Sequence, residues 1–221
     1  SGLICSLALS KSGMSVCTIE NSKHDLQQIK DTRSTAYLLP SINFLEKIGI
    51  WKHFFKNINP LEILSIINSK NGYPFNQVLN ETQFNAREIS KEYFGCNISN
   101  YETKQALMKL VKKDKSINFI NNEVTNIENF EEHLTINLKN KYRIKTKLLI
   151  GADGRNSFIR SYYNIKTQIT NLEQKAVTFK IQHKKSHNNI SYEIYDTGGP
   201  FTTVPLKSKE EKKSAVIWVN D

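Results

Sequence analysis

Cysteine is scarce in this chain, with Cys5, Cys17 and Cys96 the three found in 221 residues. An odd number at such wide spacing excludes a disulfide framework or a zinc knuckle and fits free thiols in a reducing compartment. No run approaches the roughly 18 to 20 continuous apolar residues that a membrane-spanning helix needs. Also absent are a serine nucleophile elbow, a paired-carboxylate site and the Lys-Ser/Thr step of a phosphate loop. Acidic side chains number 21 against 31 Lys and Arg, for a net charge of +10. Such an excess would suit nucleic acid, yet there is no helix-turn-helix pattern, zinc finger or aromatic-studded RNA-binding strand. The lysines are scattered, as at Lys112-Lys113, Lys184-Lys185 and between Lys207 and Lys213. The basicity therefore reads as compositional bias, and no nucleic-acid partner is expected. A hydrophobic content of 38 % can still bury a core, in one large or two small domains. Neither an internal repeat nor a low-complexity linker is visible.

The most informative segment is Gly151-Ala152-Asp153-Gly154-Arg155-Asn156-Ser157-Phe158. The apolar run Lys147-Leu148-Leu149-Ile150 before it reads as a buried strand, and Ile159 to Tyr163 after it as the first turns of a helix. Glycines at a strand-to-helix turn let backbone approach a ligand, and a helix start offers unpaired N–H groups to an anion. An ordinary strand-to-helix turn would carry the same residues, so the reading depends on company elsewhere in the chain.

The N-terminus supplies it. Gly2 to Gly13 has the pattern of a short amphipathic helix stopped by a glycine, and Met14 to Glu20 that of a strand ending in an acid. A secretory signal would need a basic segment ahead of the apolar residues, and a strand pattern follows instead. In a dinucleotide-binding βαβ unit the third glycine of G-x-G-x-x-G opens the helix, and an acid about 20 residues on holds the ribose. Gly2 and Glu20 fit those roles. The unit's first strand and first two glycines are then expected ahead of Ser1, which makes this chain a piece of a longer protein. A third segment runs from Asp31 to Ser41, with Arg33 placed where a guanidinium would pair with a diphosphate. After it Phe44, Leu45 and Ile48 mark one face of a helix closed by Gly49.

Together these residues resemble the flavin-dependent aromatic hydroxylases of the para-hydroxybenzoate hydroxylase superfamily, in particular the branch acting on ubiquinone precursors. The resemblance is carried by Gly2-Leu3 through Glu20, by Asp31-Thr32-Arg33 with Leu45 to Trp51, and by Gly151 to Ser157 with Arg160. It continues through His187-Asn188-Asn189, Glu193, Gly199-Pro200-Phe201, Val204-Pro205-Leu206 and Val216-Ile217-Trp218. It implies an α/β fold in which a Rossmann-like FAD-binding domain is interleaved with an antiparallel β-rich substrate domain. Residues 1–60 and 96–163 would form the first and residues 61–95 and 164–221 the second, both incomplete. A Gly-Asp pair that completes flavin binding in the family would follow the last residue.

The resemblance further implies a monooxygenase that hydroxylates the ring of a polyprenylated phenol, with FAD as cofactor and NAD(P)H as electron donor. O₂ would react at the reduced flavin to give a C4a-hydroperoxide. Gly2 would open the diphosphate helix, Glu20 would hold the adenosine ribose, and Arg33 would meet the diphosphate. Asp153 and Gly154 would lie between that diphosphate and the nicotinamide nucleotide, with Arg160 in the same motif. The late β segment would floor the substrate pocket, its Gly199-Pro200 turn near the ring. No side-chain general base is identifiable. Two rivals stay open: a FAD-dependent reductase or dehydrogenase of the same superfamily, and a truncated flavoprotein without turnover. A cytoplasmic protein is expected, with a basic face able to rest on the inner, anionic side of a membrane where polyprenyl substrates reside. Assembly with other ubiquinone-biosynthesis enzymes stays open.

The remaining pattern is mixed. Leu61 to Asn68 reads as a strand, Asn71 to Pro74 as a turn, and Phe84 and Ile89 fall in a weakly patterned stretch. Tyr101 to Lys112 has a helical apolar face. Strands are expected at Ile117 to Ile120, Glu123 to Glu128, His133 to Leu138 and Arg143 to Ile150. Four more follow, at Ala176 to His183, Ile190 to Tyr195, Phe201 to Pro205 and Ser214 to Val219. His183 and His187 have a metal-binding spacing but no carboxylate between them, so a surface role is expected and no metal.

Overall fold

The computed structural model describes residues 1–21, 31–70, 77–195 and 199–220. In chain order the elements are α1 (Gly2–Lys11), β1 (Val16–Glu20), β2 (Ser34–Leu38), α2 (Leu39–Lys47), β3 (Asn59–Leu61), β4 (Ile63–Lys70), β5 (Gln77–Asn85) and β6 (Gly95–Ser99). Then come α3 (Asn100–Lys113), β7 (Ile117–Asn121), β8 (Val124–Asn129), β9 (Leu134–Leu138), β10 (Arg143–Thr146) and α4 (Phe158–Tyr162). The last four are β11 (Lys175–Gln182), β12 (Ile190–Tyr195), β13 (Phe201–Leu206) and β14 (Lys213–Asn220). The turn expected at Asn71 to Pro74 lies outside the described residues. Packing groups residues 1–29 with 107–169, and residues 30–106 with 170–221. Residues 30–60 and 96–106 thus pack in the second unit, so the compact units are drawn elsewhere than the functional domains expected from the sequence.

In the first unit α1 ends where Gly13 turns to φ +86°. The Gly13 and Met14 N–H groups reach back to the carbonyls of Ser10 and Leu9, a Schellman stop that satisfies two orphan acceptors. β1 then pairs in parallel with β7, Val16 opposite Ile117 through Glu20 opposite Asn121. Leu7 of α1 is buried. The Thr18 hydroxyl donates to Ser6 Oγ at 2.7 Å, and Ser6 Oγ donates to the Gly2 carbonyl at 3.0 Å. A buried polar thread thus ties the strand to the helix's first turn. Beside this pair β8, β9 and β10 form an antiparallel meander. Its buried Ile127, Ile136 and Leu138 gather Ile19, Ile120, Leu149, Ile159 and Tyr162 into one core.

The buried strand expected at Lys147 to Ile150 is not there. Only Thr146 and the three residues before it form a strand, and the chain then runs on without a ladder. Leu149 turns into the core, whereas Leu148 and Ile150 are 66 % and 46 % exposed. Hydrophobicity marked the segment correctly, but an apolar run becomes a buried strand only where neighbours cover both faces.

The second unit holds two sheets, β2-β6-β3 and β11-β14-β13-β12-β4-β5. The six-stranded sheet joins the excursion (β4, β5) to the late strands, mostly antiparallel, although β12 pairs with β4 in parallel. Helix α2 starts at Leu39, ahead of the expected Ile42, with Pro40 in its first turn, where a missing N–H costs nothing. Its buried residues are Ile42 and Leu45, while Phe44, expected on the inner face, is 48 % exposed. Trp51 and Phe54 are buried beside it, with Tyr37 tilted against Trp51 at 6.0 Å.

Candidate cofactor site

Two of the three expected segments meet in the first unit. A Cβ built on Gly2 would stand 3.5 Å from the Cβ of Ala152, so the start of α1 lies against the Gly151-Ala152-Asp153-Gly154 turn. Ser1 makes no side-chain cap and no acid sits in the first turn of α1. Among the described residues the leading N–H groups of this ten-residue helix thus have no capping side chain at Ser1 and no acid in their own turn, the arrangement that favours an anion. Helix and strand are of matched length, about 15 Å for α1 and about 16 Å for β1. A short turn joins them, which puts Gly2 and Glu20 at the same end of the pair. That end is the carboxyl end of both parallel strands, where open α/β sheets bind ligands.

The turn itself is exposed from Gly151 through Asn156. Gly154 holds φ +89°, a left-handed conformation that side chains resist. Asp153 is turned inward on the chain. Its Oδ1 accepts the Ser157 hydroxyl at 2.5 Å and its Oδ2 the Ile159 N–H at 3.2 Å. Burial pushes this carboxyl up, but the Ser157 hydroxyl and the backbone N–H groups of Ile159, Asp153 and Phe158 outweigh it, leaving it below its ordinary value. Ser157 Oγ in turn accepts the Arg160 N–H at 2.9 Å.

This corrects one expectation. The helix after the turn is only five residues long, and its first N–H groups are taken by Asp153 and Ser157. They are not open to a phosphate; α1 carries the open helix start instead. Arg160 is likewise engaged, its Nη2 donating to the Arg155 carbonyl at 2.6 Å. Ser157, noted in the sequence only as part of the motif, proves to hold both the acid and the helix start. Its signal was present, since Ser before a helix is a favoured cap.

Arg33 belongs to the second unit. Its Nε and Nη2 bind the two oxygens of Asp31 at 2.8 and 2.9 Å, and the side chain is 64 % exposed. The guanidinium lowers the Asp31 carboxyl, and the pair raises Arg33. Among the described residues two of its five donors are used, both on Asp31, which leaves the far side of the fork for a phosphate oxygen.

The polar groups of the first unit fit the dinucleotide part of FAD. A side-chain-uncapped helix start is suited to the diphosphate, an acid at a strand end to the ribose, and an exposed glycine-bearing turn to close approach. His183 and His187 make no such site. Their rings stand 6.5 Å apart edge to face, and His187 is 5 % exposed, which corrects the surface role expected for it. Among the described residues no three potential metal ligands cluster. A cleft of about 420 Å³ lies beside these histidines, against Tyr192, Thr203 and Ser214 of the large sheet.

The family profile described as "FAD binding domain" matches residues 1–221. Ubiquinone hydroxylase UbiL of Rhodospirillum rubrum is 23 % identical over 214 residues, covering 96 % of this chain and 47 % of its own length. The 3-demethoxyubiquinol 3-hydroxylase of Escherichia coli is 22 % identical over 224 residues, covering 96 % of this chain and 53 % of its own. Among solved structures a mutant of Pseudomonas aeruginosa PqsL superposes with a TM-score of 0.80 at 11 % identity, over 99 % of this chain and 57 % of that one. The chain spans about half the length of these curated relatives.

Proposed function

This chain belongs to the FAD-binding domain family, and from that premise we propose that its protein is a FAD-dependent monooxygenase hydroxylating the ring of a polyprenylated phenol. NAD(P)H serves as reductant and O₂ as oxidant. The observation that carries the reading is the meeting of the uncapped start of α1 with the exposed Gly-Ala-Asp-Gly turn, at the same end of the strand pair as Glu20. The ubiquinone-ring substrate class rests on the hydroxylases that resemble the chain over nearly all of its length.

FAD, when bound, supplies the electron transfer and oxygen chemistry. The chain's own residues hold and orient it. The N–H groups following Ser1 receive the diphosphate, Gly2 keeps side-chain bulk away from it, and Glu20 accepts the ribose hydroxyls. Arg33 adds positive charge to the diphosphate from its free donors. Asp153 works through the turn, fixing Gly154 and the backbone beside it, and Arg160 braces the same turn through Arg155. Residues 1–60 and 96–163 serve the cofactor, while residues 61–95 and 164–221 serve the substrate and shield it from water.

The test is cofactor retention by the full-length protein. Glu20→Ala and Arg33→Ala are each expected to lower the FAD bound after gel filtration by tenfold or more; wild-type content in both variants overturns the assignment. Incorporation of ¹⁸O from ¹⁸O₂ into a prenylphenol identifies the hydroxylase. NAD(P)H oxidation with no labelled product would favour a reductase or dehydrogenase, and a colourless full-length protein a flavoprotein without turnover.

A further inference from the structure

The large sheet of the second unit has two faces, and cross-strand register assigns side chains to each. One row runs Thr178, Ile217, Thr202, Glu193, Ile66 from β11 to β4, each pair in direct register. The Thr178 hydroxyl lies 3.0 Å from that of Thr32, and Lys180, two residues on and so on the same face, donates to Ser99 at 3.2 Å. This face is therefore turned toward the segment that carries Asp31-Thr32-Arg33 and toward β6. The cleft beside the histidines lies on the other face, with Tyr192, Thr203 and Ser214.

A carboxylate in the middle of such a row is unusual. Glu193 is half-buried, with Ile66 and Thr202 directly opposite it on the two neighbouring strands. Its Oε1 accepts the Tyr195 hydroxyl at 2.7 Å, the two side chains sharing a face at a spacing of two residues. That hydrogen bond, first among its causes, raises the Tyr195 phenol and keeps its proton in place as a donor. A carboxylate has about four acceptor positions. Tyr195 fills one, so the group is oriented and retains capacity for a second hydroxyl.

We propose that Glu193, oriented by Tyr195, accepts the hydrogen bond of the substrate's phenolic hydroxyl and takes its proton as the ring gains oxygen, while Ile66 and Ile217 pack against the ring. The inference rests on the hydroxylase reading and supplies the general base that the sequence did not reveal. A free carboxylate is too weak a base to ionise a resting phenol, whose ordinary value lies near 10. As the ring's electrons form the new carbon–oxygen bond, the hydroxyl becomes strongly acidic. Its O–H bond then breaks, the proton passes to the carboxylate, and the electron pair stays with the ring oxygen. The ring later loses its own C–H proton and becomes aromatic again. One atom of O₂ enters the ring and the other leaves as water, with NAD(P)H as the two-electron reductant.

The experiment uses the FAD-loaded full-length protein and two probes, a 2-prenylphenol with one isoprene unit and its methyl ether. Wild type is expected to bind the phenol at least tenfold more tightly than the ether, and Glu193→Leu to bind the two within about twofold. Glu193→Gln is expected to keep phenol binding within a few-fold and to lose about 10²-fold in kcat, the range of a general base. Glu193→Asp should regain part of that loss, which a merely structural role would not produce. If Glu193→Leu fails to fold, the Gln and Asp pair still decides. Hydroxylation at the wild-type rate in Glu193→Gln, or equal discrimination against the ether in Glu193→Leu, overturns the inference while leaving the hydroxylase reading intact. A wild-type protein that neither binds nor hydroxylates the prenylphenol sinks both.

Discussion

Gly199 shows how one position can be fixed by its neighbours. It holds φ +145°, and a Cβ built there would stand 1.9 Å from the Val219 carbonyl oxygen. The clash is with backbone of a paired strand, since the Val219 N–H also bonds the Pro200 carbonyl at 2.9 Å. Gly199→Ala is therefore expected to cost about 3 kcal/mol or more in urea unfolding, in the upper range for overpacking. A loss under about 1 kcal/mol would show that the turn yields freely. Cys96 illustrates the opposite case, a thiol whose position decides its inertness. Burial pushes it up to about 11, so it stays protonated at neutral pH and unreactive. Asp153 lies between the two: the motif singled it out, but only the geometry shows its carboxylate spent on the chain's own turn.

Helix α4 depends on that acid. Because the Asp153 carboxyl is lowered on folding, its contribution is present above the unfolded value near 3.8 and is lost as pH falls through the folded value. A carbon-detected titration should give a midpoint below 3.8, the ordinary value, and one at or above it would refute the capping role. Asp153→Asn should weaken protection of the Ile159 and Arg160 amides by about 0.5 to 1 kcal/mol, as for a lost cap. Other elements explain which parts of the fold could be read. Helix α2 and strands β11 to β14 lie where their apolar residues place them, and α1 stops at its glycine; but the apolar residues of α1 run all round the helix, and the one-sided face expected for it is not there. Strand β6 escaped notice because buried Asn97 and Ser99 interrupt its pattern; Asn97 is accommodated through the Pro205 carbonyl at 2.8 Å. Strand β5 escaped because it is exposed almost throughout and held by its ladder to β4.

The net charge of +10 bears on the protein as a whole. Among the described residues no helix is long and apolar enough to cross a membrane. Attraction of scattered lysines to anionic lipid is worth up to about 1 kcal/mol each near the surface and fades beyond a Debye length. The full-length protein is expected to float with vesicles containing phosphatidylglycerol and to be released in about 0.5 M salt. Flotation indifferent to both lipid charge and salt would rule the contact out. Division into two packed units also explains why Arg33 and Glu20, close in sequence, belong to different ones. A chain that leaves a unit and returns does not announce its borders by composition: the border between residues 106 and 107 falls inside α3 itself.

Residue order alone marked the candidate cofactor segments. Glycines at helix ends, an acid closing a strand, and Gly-Ala-Asp-Gly before a helix are local arrangements, set by backbone sterics and hydrogen-bond valence within a few residues. Long-range packing settled the rest. It left Leu148 and Ile150 uncovered, spent the donors of α4 on Asp153 and Ser157, and joined Arg33 to Asp31. It also aligned Glu193 between Ile66 and Thr202. Strand register is fixed by pairing between segments more than 100 positions apart, and no local period encodes which partner a strand will meet.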